Sequence, residues 1–241
     1  MSASLLVQCV IPSPNHSGAR NHAIDTVSIH CMAGDLSVES CGALFARSTT
    51  RASSNYGIGS DGRVALYVDE ANRSWCTSSA ENDNRAVTIE VANCGGADEG
   101  WPVSEAAYDS LIELLTDVCR RNGIAKLLWR GDRSLVGQTD KQNMTVHRWF
   151  AQKSCPGDWL YTRHGRIAAE VNAKLEESMT GEEIYKALTD YLSALPAPDW
   201  AQQELRGAVD AGITDGTAPM CFVPRYQAAI MAARAARCTD E

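Results

Sequence analysis

Two short stretches constrain the fold of this 241-residue chain more than any others. Residues 25–31 and 86–92 both alternate between apolar and polar side chains. In the first, Val27, Ile29 and Cys31 share one face and Thr26, Ser28 and His30 the other. In the second, Val87, Ile89 and Val91 oppose Thr88 and Glu90. A period of two is that of a strand with one buried face. Each strand therefore carries one ionisable residue, His30 or Glu90, on its polar side. Around them the pattern predicts a helix over 37–47, a hairpin over 57–68 turning at Asp61-Gly62, and a helix over 104–123. That last helix has Ser104 placed to cap its start and Gly123 its end. A short strand over 127–129, a polar loop over 131–143 and a helix over about 157–175 follow. Strands and helices that interleave in this way predict an α/β or α+β domain.

Past residue 177 the pattern becomes helical only. Thr180 and Glu183 have the spacing of a capping box. Helices are expected after them, over about 200–211, and over about 225–238. The expected organisation is thus a first domain over 1–177 and a small all-α domain over 178–241. A composition of 44% hydrophobic and 22% charged residues excludes a disordered chain. A net charge of −8 argues against a nucleic-acid binder, which would carry a basic footprint. No apolar run reaches the roughly 18–20 residues of a membrane span. Nine cysteines, an odd number without a CxxC pair, do not form a disulfide framework and suit a reducing compartment. The first residues lack the basic flank and long apolar run of a secretory signal.

Chemistry concentrates in the segment MTVHRWFAQKSCPG, residues 144–157. It brings His147, Lys153 and Cys155 together ahead of Pro156-Gly157. Imidazole and thiolate both ligate zinc, and a catalytic zinc site takes three protein ligands and leaves a position for water. His30, at the end of its strand, is the best third candidate. Spacing alone leaves the alternative that these side chains are unconnected. Glu90 likewise has two readings, a solvent-facing strand position or a general base facing a site. His16 and His22 fall in a stretch read as irregular, and His164 in a helix where a solvated or capping role is expected. Cys31, opposite His30 in the alternation, is expected in the core.

In order along the chain, SIHCMAG, SSNYGIGSDGR, RSWC, TIEVAN and HRWFAQKSCPG resemble the zinc-dependent N-acetylmuramoyl-L-alanine amidases of the type-2 amidase and peptidoglycan recognition protein superfamily. Among these, they most resemble the endolysins of phages or prophages of Gram-positive bacteria. The resemblance covers about residues 20–175. It implies an α/β fold with a mixed central sheet flanked by helices. One catalytic Zn2+ would be held by His30, His147 and Cys155, with Lys153 beside the scissile carbonyl and Glu90 as the essential carboxylate. It sets Asn55, Tyr56 and Trp75 as substrate contacts, with Trp149 expected in the core. Some members carry a catalytic Tyr two residues before the aromatic of this motif; that position here is Ser54. The implied reaction cuts the bond between N-acetylmuramic acid and L-alanine. The implied alternative is a binding protein that holds peptidoglycan without cutting it.

The stretch PDWAQQELRGAVDAGITDGT, followed by VPRYQAAIMAARA, resembles a single S-layer-homology-like repeat. That implies binding to a secondary cell-wall polymer through 178–241, or else homodimerisation, with Trp200 and Arg225 as the positions of interest. A lysin of this kind is made in the bacterial cytoplasm without a signal peptide and meets the wall after release.

Overall fold

In the computed structural model, residues 3–176, 181–223, 228–230 and 232–233 are described. The chain divides into two units, Met1–Glu177 and Ser178–Glu241.

In chain order the strands of the first unit are β1 (Val7–Val10), β2 (His16–Ala19), β3 (Thr26–Cys31), β4 (Tyr56–Ile58), β5 (Val64–Leu66), β6 (Asn72–Ser74), β7 (Ala86–Val91) and β8 (Met144–Thr145). Its helices are α1 (Val38–Phe45), α2 (Ala80–Arg85), α3 (Glu105–Asn122), α4 (Asp158–Tyr161) and α5 (His164–Glu176). Six strands form one sheet in the order β1-β5-β4-β7-β3-β8, and β2 pairs with β6 in a small second sheet. All pairings in the main sheet are parallel except the β4–β5 hairpin. The fold is therefore a mixed α/β sheet flanked by helices.

Alternation along the strands sorts the core. Val27, Ile29, Val87, Ile89 and Val91 join Leu111, Leu114, Leu115 and Val118 of α3 and Ile167 and Val171 of α5 in one cluster. On β5, Val64 and Leu66 enter that cluster, whereas Ala65 and Tyr67 pack with Val38 and Cys41 of α1 in a second one. α3 begins on Ser104, whose hydroxyl accepts from Ala107 N at 3.1 Å, and ends on Gly123 at φ +69°. The β4–β5 turn uses Gly62 at φ +83°, a left-handed backbone that favours glycine.

Four expectations need correction. First, β3 is buried on both faces, all six residues included. It lies between β7 and β8, and its polar side is covered by α2 and by the 3-10 turn His147–Trp149. Second, residues 127–129 form no strand. Side-chain amides satisfy this backbone instead: Leu127 N donates to Asn172 Oδ1 at 2.7 Å and Leu128 N to Asn143 Oδ1 at 2.8 Å. The place beside β3 is taken by β8. Third, the helix over 157–175 is broken into α4 and α5, which turns His164 into the interior. Fourth, the N-terminal stretch is ordered into β1 and β2, with His16 opening β2.

The second unit contains α6 (Gly181–Ser193), a 3-10 turn Asp199–Ala201 and α7 (Gln202–Asp210). Thr180, the Glu183 side chain, Arg225 and most of the third expected helix lie outside the described residues. No helix among the described residues is long and apolar enough to cross a membrane.

Candidate functional site

The polar face of the β3–β7 pair supplies the first half of the site. The parallel register sets His30 directly beside Glu90, and His30 Nδ1 lies 4.0 Å from Glu90 Oε1. The loop after β8 supplies the second half. It turns at His147–Trp149, doubles back so that Arg148 N donates to Cys155 O at 3.2 Å, and passes Pro156 through a cis bond. Gly157 follows at φ +83°, where a Cβ would meet Gly100 O at 2.7 Å. Cys155 Sγ is thereby brought to 3.3 Å from His30 Nδ1. The rings of His30 and His147 stand 5.2 Å apart. Ligand atoms of His30, His147 and Cys155 all lie within 4.8 Å of one another.

The electrostatics are those of a dry pocket. His30 is fully buried, and burial, reinforced by His147 and His164, lowers its pKa to about 3. Burial and the nearby Lys153 lower that of His147. Both imidazoles are thus neutral and able to ligate. Glu90 is pushed well above the usual carboxylate range by burial first and by Cys31 second. Its Oε2 has no partner among the described residues, while Oε1 is 3.9 Å from Cys76 Sγ. The Cys155 thiol is raised by its hydrogen bond with Cys31 and by burial. Cys31 is in the core as expected, yet its thiol also reaches the site.

This donor set fits a zinc ion. Zinc bonds of about 2.0–2.1 Å to nitrogen and about 2.3 Å to sulfur, at tetrahedral angles, put ligand atoms roughly 3.3–3.6 Å apart. The Cys155–His30 separation already has that value, and two neutral imidazoles and a thiol are the residue types zinc prefers.

A groove of about 430 Å³ opens onto the site, lined by His147, Lys153, Trp75, Cys76, Arg51 and Arg73 among others. Trp75 is held there by its indole nitrogen, which donates to Ser17 Oγ at 2.6 Å. Trp149 is buried and stacks on Trp129 at 5.1 Å between ring centres, a core role as expected. Ser78, at φ +65°, places its hydroxyl 3.0 Å from His147 Nε2.

Asn55 and Tyr56 require a correction, because both are fully buried away from this groove. Asn55 Oδ1 accepts from Thr88 N at 3.1 Å and from Arg20 Nη2 at 2.9 Å, tying β4 to β7. Tyr56 donates its hydroxyl to buried Glu70, which Arg121 also binds at 2.7 Å. Ser54 is buried too, and donates to Tyr56 O at 2.7 Å. His164 is likewise not solvated: Nδ1 meets Leu160 O at 2.8 Å, and burial lowers the pKa to about 4. Sequence reading missed Arg51, Arg73 and Ser78. The available signal was their closeness along the chain to Trp75 and Ser54.

Comparison with known proteins bears on the family and the fold. A family model described as N-acetylmuramoyl-L-alanine amidase matches residues 20–158, more than half of the chain. Comparison with curated proteins gives no match. Among solved structures, a selenomethionyl derivative of AmpD aligns with a TM-score of 0.52 at 18% identity, over 69% of this chain and 97% of that one. A mutant endolysin from Bacillus subtilis aligns at 0.48 and 13% identity, over 67% and 97%. Drosophila peptidoglycan recognition protein SD aligns at 0.45 and 19% identity, over 64% and 90%. At 18% identity the likeness to AmpD is one of fold.

Proposed function

Because the chain belongs to the N-acetylmuramoyl-L-alanine amidase family, we propose that it hydrolyses the amide bond between N-acetylmuramic acid and L-alanine in bacterial peptidoglycan. The observation that carries this reading is the convergence of His30, His147 and Cys155 with Glu90 at the head of one groove. His30, His147 and Cys155 would hold the zinc ion. When bound, zinc lowers the pKa of water and polarises the scissile carbonyl.

The protein's own groups account for the proton traffic and the orientation. Glu90 takes a proton from the attacking water and returns it to the departing amine, and its unpartnered Oε2 is the atom free to do so. Lys153, on the groove wall beside His147, stabilises the negative charge that develops on the carbonyl oxygen. Trp75 offers an apolar wall to sugar or peptide, and Arg51 and Arg73 favour a substrate that bears carboxylates. The binding-only alternative drew its support from Ser54. That residue is buried and cannot supply the phenol that some members carry there, so the alternative stands beside the hydrolase reading as an outcome of the test below.

The second unit is proposed as an S-layer-homology-like module that holds a secondary cell-wall polymer, with homodimerisation as its alternative. Trp200, 79% exposed in the 3-10 turn before α7, is the side chain available for either role. On this reading the protein is a phage or prophage lysin, made in the bacterial cytoplasm and acting on the wall after release.

The test is mass spectrometry of Gram-positive peptidoglycan digested with and without a zinc chelator. Free stem peptides beginning at L-alanine, absent under chelator, are expected. Cut glycan strands or cross-bridges would overturn the bond assignment, and an absence of products from several wall types would overturn the enzyme.

A further inference from the structure

We propose that Ser28 is a positioning residue that sets the tautomer of His30, so that Nδ1 presents its lone pair to the ligand cluster. The inference deepens the zinc reading above and rests on it. Ser28 sits two residues before His30 on β3 and is fully buried on the same face. Its Oγ lies 3.2 Å from Thr145 O and 3.2 Å from His30 Nε2.

A serine hydroxyl has one proton to give. Both contacts are hydrogen bonds only if that proton goes to Thr145 O, because a carbonyl oxygen can only accept. The serine oxygen is then left as an acceptor, and Nε2 must be the nitrogen that carries hydrogen. In a neutral imidazole the other nitrogen, Nδ1, then holds the lone pair. A second contact agrees. Nδ1 is the atom that faces Cys155 Sγ at 3.3 Å and Glu90 at 4.0 Å. Partners on the far nitrogen orient ligating histidines and raise their basicity, and removing one typically weakens metal binding about 10–100-fold. β8 takes part as well, because its Thr145 carbonyl is what forces the hydroxyl to turn.

The experiment uses the full chain. Long-range proton–nitrogen correlation spectra of the metal-free protein read the tautomer of His30, assigned through its absence in His30→Gln. Zinc affinity is then measured by chelator competition for the wild type, Ser28→Ala and Ser28→Thr. The expected results are an Nε2–H His30 in the wild type and a zinc dissociation constant raised about 10–100-fold in Ser28→Ala. Ser28→Thr, which restores the hydroxyl, should recover most of that loss. A wild-type His30 protonated on Nδ1 would overturn the inference. So would a folded Ser28→Ala that binds zinc as the wild type does. If Ser28→Ala does not fold, the wild-type spectrum and Ser28→Thr still decide. A wild type that binds no zinc overturns the metal reading alone, because the metal-free spectrum tests the tautomer by itself.

Discussion

The two faces of the β3–β7 pair are made from the same twelve residues and do opposite work. One face, with Val27, Ile29, Val87 and Ile89, is buried against α3 and α5 in the main cluster. The other, with Ser28, His30, Thr88 and Glu90, is also almost wholly removed from water, yet it is polar. Burial on the first face is favourable by itself, at about 1.5–3 kcal/mol per large side chain. On the second it costs energy unless each polar atom finds a partner. Most do: Thr88 meets Ser74 at 2.7 Å, and Ser28 meets Thr145 and His30. Glu90 Oε2 does not, and it is the atom given the proton-transfer role. The apolar face thus stabilises the fold and the polar face stores reactivity, one residue apart along each strand.

The sharpest way to break this contrast is to remove a ligand. His147→Ala and Cys155→Ala are each expected to lose bound zinc and lysis together, with activity down by at least about 10³-fold if the bound metal supplies several kcal/mol of transition-state stabilisation. Metal analysis of purified protein beside turbidity loss of wall suspensions checks both. Full lysis by either variant removes that residue from the ligand set. A paired comparison then separates the faces. Glu90→Gln should keep zinc and stability while turnover falls about 10²–10⁴-fold, the range of general acid–base contributions. Its neighbour Ile89→Ala should do the reverse and cost about 2–5 kcal/mol of stability with turnover of the folded fraction unchanged. If Ile89→Ala lowers turnover and spares stability, the division of labour is wrong.

The same two strands show what the sequence could convey. Alternation over 25–31 and 86–92 placed both strands and put His30 and Glu90 on one side. The long periodic segment with Ser104 and Gly123 placed α3 to within a residue. Periodicity could not show that the polar face would be covered, because its cover over β3 comes from α2 and the turn after β8, both distant from β3 along the chain. It also misplaced Asn55 and Tyr56. A motif conveys order along the chain but not depth, and both side chains are spent on internal hydrogen bonds away from the groove. Residues 127–129 failed for another reason. Their apolar run looked like a strand, while amide side chains of Asn143 and Asn172, supplied from elsewhere, met the backbone instead. Ser78 offered only its closeness to Trp75 along the chain, since nothing about a serine announces a left-handed backbone.

The smallest expected effect concerns His164, which packs 4.4 Å from Trp129 behind the site and contributes to lowering the pKa of His30. Its folded pKa is about 4, against an ordinary 6.5, because burial disfavours the charged ring. Between those values the unfolded chain takes up a proton that the folded chain refuses. Stability is therefore complete above pH 6.5 and lost as pH falls toward 4, at a slope of up to about 1.4 kcal/mol per pH unit. His30, lowered to about 3, adds a loss of the same sign. Urea unfolding at pH 7 and pH 5, with chelator present so that zinc does not couple to His30, compares the wild type with His164→Gln. The variant is expected to lose less stability on acidification, by at most about 2 kcal/mol. The remaining acid sensitivity combines His30 and His147, both lowered, with the opposing contribution of Glu90, whose carboxyl is raised. Equal losses in both proteins would mean that His164 reaches water in the folded state, and the dry interior behind the polar face would have to be redrawn.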